Sequence, residues 1–225
     1  MNPQEYWDKY YQENVFKNGK EPDLFLTHML SRLKKGKVLD IGMGEGVNSV
    51  YLAKSGFTVK GVDASKVAVS RASEHAQSSN VQIETKNTDL DLFLFGLMEY
   101  DTIVMMFYKP SSTRIYSEVV RALKQGGTLL IQSYTSEEMK EVLGPEDPRN
   151  FYYRSNEILH NIKGLRILFY NEGFANGKHV VQCLAQKPFD KDASKYNLFG
   201  MQTEGEDKGK SAQVKLAESL FKKKD

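Results

Sequence analysis

The sequence predicts an α/β fold: a mostly parallel sheet with helices on both faces, closed by a C-terminal antiparallel hairpin. Three observations predict it. Apolar runs of strand length alternate with segments of helical periodicity from Lys37 to Tyr134, which implies parallel strands joined by right-handed crossovers. The first run, Val38-Leu39-Asp40-Ile41, breaks at Gly42-Met43-Gly44-Glu45-Gly46 and resumes as the helical segment Val47 to Ala53. The last two runs, Arg166 to Asn171 and Lys178 to Lys187, are joined only by the glycine-bearing link 172–177, the signal of a hairpin.

Before any core element, Glu5-Tyr6-Trp7-Asp8-Lys9-Tyr10-Tyr11 gathers aromatics. Exposed rings cost solubility, so this segment is expected to fold over something, either stapling the N-terminus to the domain or covering a pocket. Gly19-Lys20-Glu21-Pro22 is a loop ending where a helix can begin. Asp23 to Leu33 then carries a helical stripe of Leu24, Phe25, Met29, Leu30 and Leu33 that packs on the sheet.

A chain turning sharply from strand to helix adopts backbone angles that side chains forbid, and glycine also lets a ligand lie on the main chain. The next strand, Thr58 to Val62, ends in Asp63, whose carboxylate can accept hydrogen bonds from both ribose hydroxyls of a nucleotide laid across the two strand ends. Nicotinamide and flavin folds use GxGxxG. Here Gly42, Gly44 and Gly46 are spaced GxGxG, and Val47 stands where the third glycine would be. Asp40, just before the loop, suits an ammonium and a sulfonium and would repel a pyrophosphate. These residues together select S-adenosylmethionine; the alternatives are a glycine turn with no ligand and a nicotinamide site, which the spacing disfavours.

Ser65 can cap a helix through Val67, Val69, Ala72 and Ala76, closed by Asn80. A short strand, Val81 to Thr85, leads to Asp89 at the carboxyl rim of the sheet. There an acid can accept a hydrogen bond from an adenine amine; the alternative is that Asp89 or Asp91 caps a helix over Leu92 to Met98. Tyr100 to Phe107 reads as a buried parallel strand, and the loop 108–112 after it faces the glycine turn. A helix from Thr113 to Leu123 ends in a glycine cap at Gly126-Gly127, before the strand Thr128 to Tyr134. From Thr135 to Arg154 the alternation lapses into a surface insertion with Pro145, Pro148 and Phe151-Tyr152-Tyr153, suited to border a pocket. Ser155 can cap a helix through Ile158, Leu159 and Ile162.

The chain has 225 residues, 40% hydrophobic and 27% charged, which suits one domain with a real core. The domain is expected to span 1–188, with an N-terminal lid segment at 1–22. The tail 189–225 is polar and expected to be flexible, with at most one amphipathic helix around Val214 to Phe221. A net charge of +2 gives no electrostatic case for a nucleic-acid or membrane partner, and no obligate protein partner or metal is implied. The single cysteine, Cys183, lies in an apolar strand and is expected to be buried and reduced. With no signal-peptide pattern and no apolar run of spanning length, the expected location is cytoplasmic.

The motifs VLDIGMGEG, GVDAS, YDTIV and LKQGG, with the terminal hairpin, resemble the class I S-adenosylmethionine-dependent methyltransferases, over roughly Tyr6 to Pro188. That resemblance implies a Rossmann-like, seven-stranded sheet whose last strand is antiparallel. Within the superfamily, Trp7-Asp8-Lys9-Tyr10-Tyr11, Gly19-Lys20-Glu21-Pro22 and Gly44 to Ala53 are similar to the tellurite-resistance type of small-substrate methyltransferase. The resemblance implies that Gly42, Gly44 and Gly46, with Asp40, hold the methionine part of the cofactor. It implies that Asp63 and Ala64 hold the ribose and border the adenine, that Asp89 and Leu90 meet the adenine, and that Met105 and Met106 close the pocket. Trp7 and Tyr11 match positions in the family's N-terminal lid. Met43, Val47 and Tyr10 depart from residues common there (a cysteine, an arginine and a basic residue).

Methyl transfer from a sulfonium is an in-line displacement with a neutral leaving group, so the protein mainly aligns the acceptor and excludes water. An anionic or soft acceptor needs no general base. The expected acceptor is a small molecule, a chalcogen oxyanion or a thiol among the candidates. A neutral hydroxyl or amine would need a base, for which His179, Tyr108 and Tyr152 are the candidates.

Overall fold

The computed structural model describes residues 3–17, 19–138 and 152–189. Seven strands form one sheet: β1 (Lys37–Ile41), β2 (Thr58–Asp63), β3 (Glu84–Asn87), β4 (Tyr100–Met106), β5 (Leu123–Tyr134), β6 (Arg166–Ala175) and β7 (Lys178–Gln186). Their order is β3-β2-β1-β4-β5-β7-β6, with β7 antiparallel between β5 and β6 and the six other strands running in one direction. The order reverses between β1 and β4. In open α/β sheets the crevice at the carboxyl ends of such a strand pair is where ligands bind.

Alternation along the strands sorts the core into two faces. Leu39, Ile41, Ile103, Met105, Leu129 and Ile131 pack on one side with Ile115, Tyr116 and Val119 of α5 (Arg114–Ala122). Val38, Val104, Met106 and Leu130 pack on the other, against Phe25 and Leu26 of α2 (Leu24–Met29) and Leu52 of α3 (Val47–Lys54). Cys183 is buried in the first layer, and burial pushes its thiol up to about 12. The aromatic N-terminal segment is a helix, α1 (Pro3–Glu13), packed on α4 (Lys66–Ser78).

Asn80, at φ 55°, ends α4 as expected: Val81 N–H reaches Ala76 C=O at 3.1 Å and Asn80 N–H reaches Gln77 C=O at 3.0 Å. That closure commits Val81 to the helix end, so β3 begins at Glu84 rather than Val81. The helix over Leu92 to Met98, the alternative to a ligand role for Asp89, is not formed. Phe93 and Phe95 are buried there while Leu92 and Leu94 face outward, the alternation of extended chain, and Asp89 Oδ1 accepts Asp91 N–H at 2.9 Å in a local turn. Helix α5 stops at Ala122, before the glycines, because fully buried Leu123 turns extended to pair with Tyr100; Gly126, at φ 70°, bends the strand instead. Beyond the insertion, α6 (Glu157–Asn161) starts after Asn156 at φ 62°, not on a Ser155 cap. The closing hairpin is tighter than expected: β6 runs to Ala175, and Asn176-Gly177, both left-handed at φ 52° and 77°, form a two-residue turn. The tail from 190 on and the centre of the insertion, 139–151, lie outside the described residues. No helix among the described residues is long and apolar enough to cross a membrane.

Candidate active site

The glycine turn lies at the carboxyl rim beside the crevice. Gly42, Gly44 and Gly46 have φ of 70°, 55° and 76°, a region that glycine alone enters without strain. Val62 C=O accepts from Gly42 N–H at 2.9 Å and Met43 N–H at 3.1 Å, so β2 anchors the loop leaving β1. Asp63 completes the tie: Oδ2 accepts Gly44 N–H at 2.9 Å and Oδ1 accepts Ser65 N–H at 2.9 Å. Asn87 Nδ2–H donates to the carbonyls of Asp63 and Ala64, at 3.1 and 2.7 Å, and holds the start of α4 against β3.

Asp40 follows from strand alternation. Lying between Leu39 and Ile41, it points to the α3 face, where Ser49 Oγ–H donates to its Oδ2 at 2.6 Å. Burial raises its carboxyl to about 7, opposed by the Ser49 bond and helped by nearby Asp63. Burial likewise raises Asp63 to about 6 against the two loop amides. Two buried acids thus stand beneath the loop.

The remaining expected residues divide. Met105 and Met106 are buried at the end of β4, each in one of the two core layers. Leu90 packs partly buried on the first layer, while Asp89 is exposed near the Tyr108 phenol. Tyr11 comes over the loop, its hydroxyl 2.7 Å from where a Gly44 Cβ would stand. Its phenol is pushed well above the usual range by burial and then by Asp63. Trp7 lies in the same aromatic cluster, its ring centroid 5.4 Å from Tyr10 and 6.1 Å from Tyr11. Gly46 faces α4: a Cβ there would be 2.8 Å from Ala72 Cβ, so its smallness serves helix packing.

Tyr108, from the loop expected to face the glycine turn, is joined by participants that carried no sequence signal beyond residue type. Tyr108 crosses the crevice from β4, its Cβ 2.9 Å from a Gly42 Cβ position. Asp8 Oδ1 accepts Ser65 Oγ–H at 2.7 Å and binds α1 to the start of α4. Glu45 accepts Phe16 N–H at 2.8 Å and pairs with Arg71 at 2.9 Å; Arg71 also donates to Tyr11 C=O. Phe107, a non-glycine residue at φ 55° directly after β4, is 41% exposed and stacks on Tyr134, an outlier of the kind that collects at functional sites. A groove of about 580 Å³ lined by Lys37, Thr58, Val81 and Glu84 is at the opposite, amino-terminal ends of the strands and separate from this site. Among the described residues no group of three or more His, Cys, Asp or Glu is placed to hold a metal ion.

The donor and acceptor set fits S-adenosylmethionine. Each Asp63 oxygen accepts one amide and keeps a lone pair for a ribose hydroxyl, and Asp40 is a buried acid awaiting a cation.

Comparison with known proteins agrees. Residues 38–127 match the model of a methyltransferase domain. The ribosomal protein L11 methyltransferase of Dictyoglomus thermophilum is 32% identical over 140 residues, covering 60% of this chain and 46% of that protein. The ubiquinone biosynthesis O-methyltransferase of Coxiella burnetii is 32% identical over 103 residues, covering 44% of each. This chain therefore spans less than half the length of these curated relatives. The solved structure of TehB from Haemophilus influenzae superposes with a TM-score of 0.62 at 23% identity, over 80% of this chain and 67% of that one, a likeness of fold. The sheet is Rossmann-like, and the segment 38–127 is similar to a methyltransferase domain.

Proposed function

We propose that this chain is an S-adenosylmethionine-dependent methyltransferase acting on a small acceptor, with residues 1–188 as the catalytic unit and 1–22 as its lid. The observation that carries the reading is the Asp63 carboxylate, tied to the Gly44 amide at the switch point of the sheet, with an acceptor position left on each oxygen. When bound, the cofactor supplies an electrophilic methyl group on a sulfonium that leaves as a neutral thioether.

In this reading Asp63 holds the ribose, with Ala64 beside it, and Asp40 balances the cofactor's positive charge from beneath the loop. Asp89 and Leu90 border the adenine, Met105 and Met106 floor the pocket, and Tyr11 and Trp7 cover it. Tyr108 is a poor base, because burial and then Asp91 push its phenol up. Tyr152 is buried, with its ring centroid 6.3 Å from that of Tyr134. His179 is at the same rim, since β7 runs antiparallel, with its ring against Phe174. A reaction led by alignment and water exclusion, on an acceptor that needs little help with its proton, suits this set. The resemblance to the tellurite-resistance type offers a chalcogen oxyanion or a thiol as that acceptor. The relatives above are named for ribosomal protein L11 and ubiquinone biosynthesis, and these targets are the competing acceptor classes.

A thermal-shift titration with S-adenosylmethionine, S-adenosylhomocysteine and NAD tests the cofactor. A ligand at one hundred times its Kd stabilises by about 2.7 kcal/mol. The expected result is a shift with both adenosyl ligands that is lost in Asp63→Ala; a shift with NAD alone would overturn the proposal. Methyl transfer to any acceptor excludes a binding protein without turnover.

A further inference from the structure

Beside the crevice, rings from three separate stretches of chain meet. Phe107 ends β4 and Tyr134 ends β5, with centroids 4.8 Å apart and planes at 41°. Tyr152, from the far side of the insertion, continues the wall at 6.3 Å from Tyr134 and 36°. Tyr10 of α1 is within electrostatic reach of the Tyr134 phenol, which acts to raise its own. Three features say that this wall meets a ligand. Phe107 takes a left-handed backbone that costs a side-chain-bearing residue free energy, and it still exposes 41% of its surface. The wall stands where β4 and β5 leave the sheet, one strand from the glycine loop. Its rings also differ in plane, giving faces and edges to a flat guest.

The charges near the wall decide what kind of guest. Burial, Glu138 and Asp23 all act to raise Tyr134, and burial, Tyr134, Tyr6 and Glu45 raise Tyr10. Two of the nearest carboxylates are themselves withdrawn: Glu138 is 2% exposed, and Asp23 is bound to Gln132 Nε2–H at 2.7 Å. Lys178 is over the Tyr134 ring at 5.1 Å and within 3.6 Å of Glu138, which cancels its charge; Lys17 is over the Tyr10 ring at 5.7 Å. Among the described residues, an oxyanion entering here loses its hydration and meets carboxylates, and the cation over Tyr134, Lys178, is already paired with Glu138. An uncharged ring loses little water and stacks.

Resting on the methyltransferase reading, we infer that the acceptor is a planar, uncharged aromatic or heteroaromatic molecule carrying the nucleophilic oxygen or sulfur, bound against Phe107 and Tyr134. Methyl transfer forms the bond from that atom to the methyl carbon as the carbon–sulfur bond breaks, the sulfur keeps the electron pair, and the acceptor's proton leaves to water.

The test uses the full chain saturated with S-adenosylhomocysteine for binding, and with methyl-labelled S-adenosylmethionine for transfer. The probes are 2-naphthol and 2-naphthalenethiol against selenite, tellurite and 2-mercaptoethanol. Expected are saturable binding and labelling of at least one planar probe, with a Kd at least tenfold below that of 2-mercaptoethanol, and no saturable binding of the oxyanions. Phe107→Ala should weaken planar-probe binding about tenfold with the S-adenosylhomocysteine Kd within twofold, and Phe107→Trp should restore it. Tyr134→Leu gives the same loss if Phe107→Ala fails to fold. Labelling of selenite, tellurite or the aliphatic thiol ahead of both planar probes overturns the inference, as does an unchanged planar-probe Kd in both variants. If the wild type does not bind S-adenosylhomocysteine at all, the methyltransferase reading itself has failed and takes this inference with it.

Discussion

Around Gly42 to Ser65 the rim is made of backbone amides and buried carboxylates, whereas at the ends of β4 and β5 it is made of rings. The first region is short in sequence and dense in hydrogen bonds: Val62, Asp63 and Asp40 between them accept from Gly42, Met43, Gly44, Ser65 and Ser49. The second joins residues as far apart as Phe107 and Tyr152 through ring contacts. The difference teaches which part tolerates change. A polar cradle fails when one acceptor is lost, because its buried donors are left unpaired, while a ring wall loses only contact area.

The sharpest way to break that contrast is Asp63→Ala. It leaves Gly44 N–H and Ser65 N–H without their acceptor and removes the proposed ribose contact, so cofactor affinity should fall by about a hundredfold or more, measured by calorimetry. Gly46→Ala comes next. A methyl 2.8 Å from Ala72 Cβ on a left-handed backbone should cost about 3 kcal/mol in urea unfolding, from about 1–2 kcal/mol of backbone strain and a similar overlap term.

Titration sharpens the comparison. Asp40 is raised from its ordinary 3.8 to about 7, so between those values the folded state holds a proton that the unfolded state has released. Stability therefore falls as pH rises through this window. From pH 5 to 7 the wild type should lose about 2 kcal/mol relative to Asp40→Asn, read from unfolding at each pH. Bound S-adenosylmethionine should flatten that slope, since a cation near Asp40 lowers its pKa.

Smaller effects are expected away from the cradle. Tyr116→Phe removes the 2.7 Å bond that Tyr116 donates to the buried Tyr153 hydroxyl, next to the ring wall, and should cost about 1 kcal/mol with cofactor affinity unchanged. Arg71→Gln breaks the partly exposed pair with Glu45 that joins α1 to the loop. It should cost about 0.5 kcal/mol or less in stability and show mainly as faster amide exchange in α1.

What could be read in advance follows from distance along the chain. Alternating periodicity, the GxGxG turn and the acids at positions 40 and 63 disclosed the sheet, its closing hairpin and the polar half of the rim. These features are local: a strand end, a tight turn and the next strand end lie within 27 residues, and backbone sterics fix what can stand there. Boundaries were less legible where a tertiary partner outweighed local preference, as when buried Leu123 ended α5 ahead of its glycines and Phe93 and Phe95 drew a helical pattern into extended chain.

The sequence alone therefore determined the class of fold and the glycine turn beside the crevice where the strand order reverses, because each depends on neighbours in the chain. Only the tertiary structure decided that Gly46 serves α4 and that Tyr11 stands over Gly44 and Tyr108 over Gly42. The same holds for the meeting of Phe107, Tyr134 and Tyr152 in one wall. Those juxtapositions depend on how helices and strand ends pack across long loops, and no pattern of adjacent residues encodes which rings will meet.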